Sequence, residues 1–170
     1  MATLVVYESW FGTTRELAQA IAAELHRHGE VSLLSVDDPA PPLEGFELLV
    51  VGAPTHAHGL SSAATRDAAL EQANSAGEVG AGMRGWLQQL PPGAGRRAAV
   101  FDTRFELPRL LVGSAARGVA KRLSRRGYEL VVAPESFFVL GTPAELKAGE
   151  LERAAAWARS LAGRGLSAAA

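Results

Sequence analysis

Tyr7-Glu8-Ser9-Trp10-Phe11-Gly12-Thr13-Thr14 separates two kinds of hydrophobic periodicity. Before it, residues 3–7 form a short run carrying Leu4-Val5-Val6, which reads as a buried strand. After it, Leu17, Ala18, Ile21 and Leu25 recur at helical spacing and predict a helix over 14–28. Gly29 would cap that helix. His26 and His28 fall in its last turn, where a helix favours cations, and so read as helix-end residues and not metal ligands. A hydroxyl-bearing turn that leads from a first strand into a first helix suits a phosphate. The first N–H groups of the helix have no partner inside it and carry partial positive charge. Ser9, Thr13 and Thr14 add hydroxyls, the N–H groups from Trp10 to Arg15 add donors, and Gly12 lets the backbone approach an anion. The competing reading is that Ser9 or Thr13 merely caps the helix.

The alternation continues along the chain. Strands are predicted over 31–36, 46–51 and 97–101. A fifth, over 128–132, is interrupted by Pro134 and resumes over 136–140. Helices are predicted over 63–73, 83–90, 111–126 and 144–162, and the glycine-rich stretch 74–82 favours no regular structure. In the helix over 111–126, Val112, Ala116, Val119, Ala120 and Leu123 share the inner face, opposite Arg117, Lys121 and Arg125. The expected fold is α/β: a five-stranded parallel sheet with helices on both faces and the proline-bearing strand at an edge, in one of the two common doubly wound orders, 2-1-3-4-5 among them, both of which place a ligand at the switch point. Residues 1–163 read as one domain and 164–170 as a frayed tail.

Composition narrows the function. The chain has 170 residues, 48% hydrophobic and 21% charged, as expected of one globular domain. No apolar run approaches the roughly 18 residues of a membrane span. No basic-then-apolar leader is visible, so the expected location is the cytoplasm. With 0 cysteines, disulfides, thiolate metal sites and cysteine nucleophiles are excluded. A net charge of −1 argues against nucleic-acid binding. The distribution is uneven: residues 1–95 carry 4 Arg against 11 acids, and residues 96–127 carry 9 bases against 2 acids. The basic segment is either a solvated helix face or a docking face for an anionic partner or a phosphorylated donor.

Three loops are unusual: 8–14, 53–60 and 102–106. They follow strands one, three and four, which are neighbours in a 2-1-3-4-5 sheet, so they converge on one crevice at the carboxyl ends of the strands. Neither G-x-G-x-x-G nor G-x-x-x-x-G-K-[ST] is present. Gly52-Ala53-Pro54 occupies the place where a phospho-accepting receiver needs an aspartate. His56 and His58 have metal-ligand spacing, but nothing nearby completes a ligand set.

At this point the chain resembles the flavodoxin family, whose phosphate loop reads [ST]-x-[ST]-G-x-T. Ser9, Gly12 and Thr14 match it, and Phe11 replaces the middle hydroxyl. Pro54-Thr55-His56-Ala57-His58-Gly59 is similar to the P-T-x-x-x-G loop that faces the ring in flavodoxins and in flavodoxin-type quinone reductases. The third loop lacks the Gly- and Tyr-containing sequence of small electron-transfer flavodoxins. The resemblance implies FMN as cofactor. Ser9, Trp10, Phe11, Gly12, Thr13 and Thr14 would surround the phosphate and cover the cofactor, Pro54 to Gly59 would line the ring, and Asp102, Thr103 and Arg104 would bound its other side. Arg104 is either a cation at the pyrimidine end of the flavin or a surface ion-pair partner. The implied function is a redox protein carrying electrons through a bound flavin to a partner protein. The alternatives are an NAD(P)H:quinone reductase acting on a small acceptor, and a binding module that has lost FMN.

Overall fold

A computed structural model describes residues 1–39, 41–55 and 82–166. In chain order the strands are β1 (Thr3–Tyr7), β2 (Val31–Ser35), β3 (Leu48–Pro54), β4 (Arg97–Phe105), β5 (Glu129–Leu130), β6 (Glu135–Leu140) and β7 (Glu145–Leu146). The helices are α1 (Thr13–His26), α2 (Gly82–Gln89), α3 (Arg109–Val112), α4 (Ala115–Arg125) and α5 (Glu150–Leu166). The helix expected over 63–73, and residues 56–59 of the second loop, lie outside the described residues.

The sheet runs β2-β1-β3-β4-β6-β7, with β5 also on β4. All pairings are parallel except β6 with β7. This is the expected doubly wound α/β order, with two differences. The predicted fifth strand is split at 131–134 into β5 and β6, because Pro134 has no N–H for the ladder. β7 then folds back antiparallel on the end of β6, where the sequence predicts the start of the last helix; α5 begins six residues later, at Glu150. The long helix predicted over 111–126 is also broken. Ser114 takes an extended backbone and its Oγ accepts the Arg117 N–H at 3.3 Å, so α4 starts afresh behind a side-chain cap.

Alternation along the strands supplies two cores. Leu4, Val6, Leu49, Val51, Ala98 and Val100 face α2 and α4, meeting Met83, Trp86, Leu87, Val119 and Leu123. Val5, Leu48, Val50, Ala99 and Phe101 face α1 and α5, meeting Leu17, Ile21, Leu25, Ala158 and Leu161. On that second side Phe101, Phe137 and Trp157 form an edge-to-face triangle with ring centroids 5.9–6.1 Å apart. Gly52 makes room for it, since a Cβ there would lie 2.1 Å from Phe101 Cζ.

β4 runs four residues past its predicted end, so Asp102, Thr103 and Arg104 are strand residues and not loop residues. Their side chains therefore alternate. Thr103 points to α1 and bonds Thr14, whereas Asp102 points to α4. At the open side of β6, the Glu150 carboxylate accepts the Phe138 N–H at 2.7 Å. Arg153 joins Glu150 and Glu135, donates to the Ser136 carbonyl, and lies over the Phe137 ring at 4.4 Å. Burial works against its charge, but its hydrogen bonds to Glu150 and Glu135 outweigh this and raise the guanidinium pKa above its ordinary value. Among the described residues no helix is long and apolar enough to cross a membrane.

Candidate functional site

The turn after β1 takes its shape from Gly12, which has φ +94° and caps α1 with no side-chain hydrogen bond. Only glycine adopts this left-handed geometry without strain. Ser9 Oγ accepts the Arg15 N–H at 3.2 Å, and the Gly12 carbonyl accepts the Glu16 N–H at 2.9 Å. Among the described residues the N–H groups from Trp10 to Thr14, those of Thr13 and Thr14 in the first turn of α1 included, are then the open donors of the turn. Ser9 retains its hydroxyl hydrogen for an outside acceptor. The Arg15 guanidinium folds back over the turn, with Nη2 3.8 Å from where a Gly12 Cβ would stand. Glu8, which would repel a phosphate, is buried and receives the Trp10 indole N–H at 3.2 Å. Trp10 is thereby turned toward Glu8 and is not on the cleft wall.

Thr13 and Thr14 divide the work. Thr14 is buried, and its Oγ1 lies 2.9 Å from that of Thr103, so one hydroxyl donates to the other across α1 and β4. Thr13 is half-buried, faces the cleft and makes no side-chain hydrogen bond among the described residues.

Thr55, first residue after β3, is held on three sides. Its N–H donates to the Thr103 carbonyl at 2.8 Å, its hydroxyl donates to Asp102 Oδ2 at 3.1 Å, and the same hydroxyl accepts the Ala115 N–H at 3.0 Å. Asp102 Oδ2 also accepts from Ser114 Oγ at 2.6 Å and from the Ala116 N–H at 2.9 Å. The carboxylate therefore ties together the end of β3, the middle of β4 and the start of α4. At 0% exposure, the Asp102 side chain lies behind the cleft and holds Thr55 in place. Its position at the N-terminus of α4 suits a negative charge.

Arg104 is buried. It lies over the Phe138 ring at 5.0 Å, and Nη1 donates to the carbonyls of Phe105 at 3.2 Å and Leu107 at 2.7 Å. It thus clamps the turn that leaves β4.

These turns open on a cleft of about 660 Å³ at the carboxyl ends of the strands. Of the predicted residues, Phe11, Thr13, Pro54, Thr55, Thr103 and Arg104 line it; His56, Ala57, His58 and Gly59 lie outside the described residues. The far wall is made by Phe105, inside the predicted loop 102–106, and by Val139 and the turn 141–144 after β6, which the sequence reading missed. A signal was present: Gly141-Thr142-Pro143 is turn chemistry at the end of a parallel strand, where α/β folds place ligands. Among the described residues no cluster of His, Cys, Asp or Glu could hold a metal ion.

A flavodoxin domain model matches residues 4–76 of the chain, from β1 past the end of β3. No curated protein matches. Among solved structures, flavodoxin 2 from Bacillus cereus is 22% identical with a TM-score of 0.69, covering 96% of this chain and 99% of its own. A flavodoxin from the domain Archaea is 16% identical with a TM-score of 0.68, covering 96% and 98%. The flavodiiron core of Flv1 from Synechocystis is 15% identical with a TM-score of 0.66, matching 100% of this chain and 37% of its own.

Proposed function

We propose that this flavodoxin-like protein binds FMN in the cleft between the β1, β3 and β4 turns and carries electrons through it. The observation that carries the reading is the uncapped N-terminus of α1, opened by Gly12 at φ +94° beside a cleft walled by Phe11, Phe105 and Pro143. An anionic group at one end and a flat apolar ring at the other would both be met there. When bound, FMN supplies one- or two-electron redox chemistry at its ring.

The residues of the chain would divide the binding as follows. Thr13 Oγ1 and the N–H groups of Thr13 and Thr14 hold the phosphate, and Ser9 fixes the turn that presents them. Asp102 and Thr55 set the start of the ring-facing loop. Phe11 and Phe105 exclude water from the ring, so fixed charges around it act in a lower dielectric. Arg104, on the cleft wall, would favour negative charge on the reduced ring and raise its potential.

A reductase of the quinone type is the second reading. The wall from Val139 to Pro143 favours it by extending the cleft with apolar surface beyond the β1, β3 and β4 turns.

The test is colour and titration. The purified protein is expected to show flavin absorbance, or to quench FMN fluorescence on titration; a colourless protein that quenches nothing removes the redox reading. Thr13→Val should weaken FMN about tenfold and shift stability by less than about 0.5 kcal/mol. NADPH oxidation with a quinone then separates the two readings: steady turnover by the isolated protein marks a reductase, and none marks a carrier.

A further inference from the structure

The turn that leaves β4 carries large apolar side chains into solvent. Phe105, Leu107, Leu110 and Leu111 are all exposed, Leu110 at 94%. Single exposed leucines are ordinary, but these four follow one another closely in the chain and make a patch. The backbone beneath this lip is tied down. Arg104 donates to the Phe105 carbonyl at 3.2 Å and to the Leu107 carbonyl at 2.7 Å. The Leu107 N–H donates to the Phe105 carbonyl, and the Leu111 N–H closes α3 on the Pro108 carbonyl, both at 2.8 Å. Of the four only Phe105 lines the cleft, so a ligand bound there would leave the three leucines bare.

The charge beside the lip has one sign. From Leu107 to Tyr128 the chain has six bases, Arg109, Arg117, Lys121, Arg122, Arg125 and Arg126, and no acid. Glu106, just ahead of this stretch, is neutralised by Lys147 at 2.5 Å. The helix dipole accounts for the last three bases, at the C-terminal end of α4. It does not account for Arg117 in the first turn, where a helix disfavours positive charge, or for Lys121 in the middle. Both are exposed, and among the described residues neither pairs with a carboxylate. They share one face of α4, a turn apart, and Arg117 stands at the end of α4 that adjoins α3.

We propose that the lip and the first two turns of α4 form a docking face for an anionic lipid bilayer. Leu107, Leu110 and Leu111 enter its interface, and Arg117 and Lys121 meet the headgroups. An apolar tip flanked by cations is complementary to a surface that is anionic outside and apolar within. A bilayer fits better than an acidic protein because Leu110, almost wholly bare on a one-turn helix, projects as a point. A protein partner must supply a fitted pocket for such a point, and fluid lipid need not. The contact is peripheral: among the described residues no helix is long and apolar enough to cross. Phe105 belongs to both the lip and the cleft wall, so docking sets the cleft mouth at the bilayer face. An acceptor dissolved in the bilayer would then reach the cleft directly. That consequence rests on the flavin reading; the docking does not.

The experiment sediments the purified protein with extruded vesicles, of phosphatidylcholine alone or of phosphatidylcholine and phosphatidylglycerol in equal parts. No flavin signal is needed. The protein is expected to sediment with the mixed vesicles, about tenfold more weakly with phosphatidylcholine alone, and less as salt is raised. L107S/L110S should lower partitioning by about tenfold or more. Its thermal midpoint should not change, because both side chains are exposed. R117Q/K121Q should lower partitioning about tenfold on the mixed vesicles and leave it unchanged on phosphatidylcholine. No sedimentation with the mixed vesicles overturns the proposal. So does equal partitioning to both kinds, or partitioning that survives L107S/L110S. Binding to polyglutamate but not to vesicles would assign the face to an acidic protein. A dimer in sedimentation velocity without lipid, lost in L107S/L110S, would assign it to a second copy of the chain. Either result overturns the bilayer.

Discussion

Thr13 and Thr14 are neighbours with the same side chain, yet their replacements should behave differently. Thr13 faces the cleft with its hydroxyl unspent, whereas Thr14 Oγ1 is bonded to Thr103 Oγ1 in the core. Thr14→Val would strand the Thr103 hydroxyl in a buried setting, at a cost of about 1–3 kcal/mol. Urea denaturation should therefore show a lower midpoint for Thr14→Val and an unchanged one for Thr13→Val. A motif match cannot make this distinction, because the partner that decides it is 89 residues away. Asp102 teaches the same lesson. In sequence, Asp-Thr-Arg after an apolar run looks like the end of a strand. In the structure, three donors from Thr55, Ser114 and Ala116 satisfy one carboxylate oxygen and let the strand continue through it. Asp102→Ala leaves those donors without their acceptor and is expected to lower stability by about 3 kcal/mol. FMN binding should fall with it, because Thr55 loses its tether.

At the scale of elements, the weak point is the edge beyond β6. β7 pairs only with the last two residues of β6, leaving the Phe138 N–H to be answered by the Glu150 carboxylate. Glu150 also holds Arg153, which bridges to Glu135 and the Ser136 carbonyl, so one side chain joins α5 to the edge of the sheet. Glu150→Ala should cost about 2–3 kcal/mol in chemical denaturation, and Glu150→Gln, which keeps an acceptor for Phe138, clearly less. Amide exchange at Phe138 should quicken in the alanine variant, because its acceptor is gone. The sequence predicted an edge here from Pro134, and the proline does break the strand. That the following residues 144–149 form a hairpin and turn instead of a helix depends on β6 offering them an edge, which periodicity does not report.

At the scale of the whole molecule, the two cores meet across a one-layer sheet, and the close fit at Gly52 sets how near β3 and the Phe101 ring can lie. With 2.1 Å between a built Cβ and Phe101 Cζ, Gly52→Ala must push the ring into Phe137 and Trp157. A loss of about 1–3 kcal/mol is expected in urea denaturation, together with an altered near-ultraviolet circular dichroism spectrum from the displaced aromatic triangle. The same layering separates the charges. Arg104 lies on the cleft wall at the carboxyl ends of the strands, whereas Arg122 and Arg125 lie in the last turn of α4.

The sequence by itself determined the α/β class with a doubly wound parallel sheet, and two of the turns that meet at the cleft. These follow from hydrophobic period and turn chemistry, which are local properties. Only the tertiary structure decided which hydroxyl of the opening turn is open, that Asp102 lies inside, and that a turn after β6 makes the far wall. It also divided the basic segment, with Arg104 on the cleft wall and Arg122, Arg125 and Arg126 at the end of α4. Each of these depends on which residue lies opposite in a neighbouring strand or helix. Glu8 to Thr14 thus remains the place where an anion would be held, with Thr13 and the open N–H groups as its donors, because Thr103 has taken the hydroxyl of Thr14.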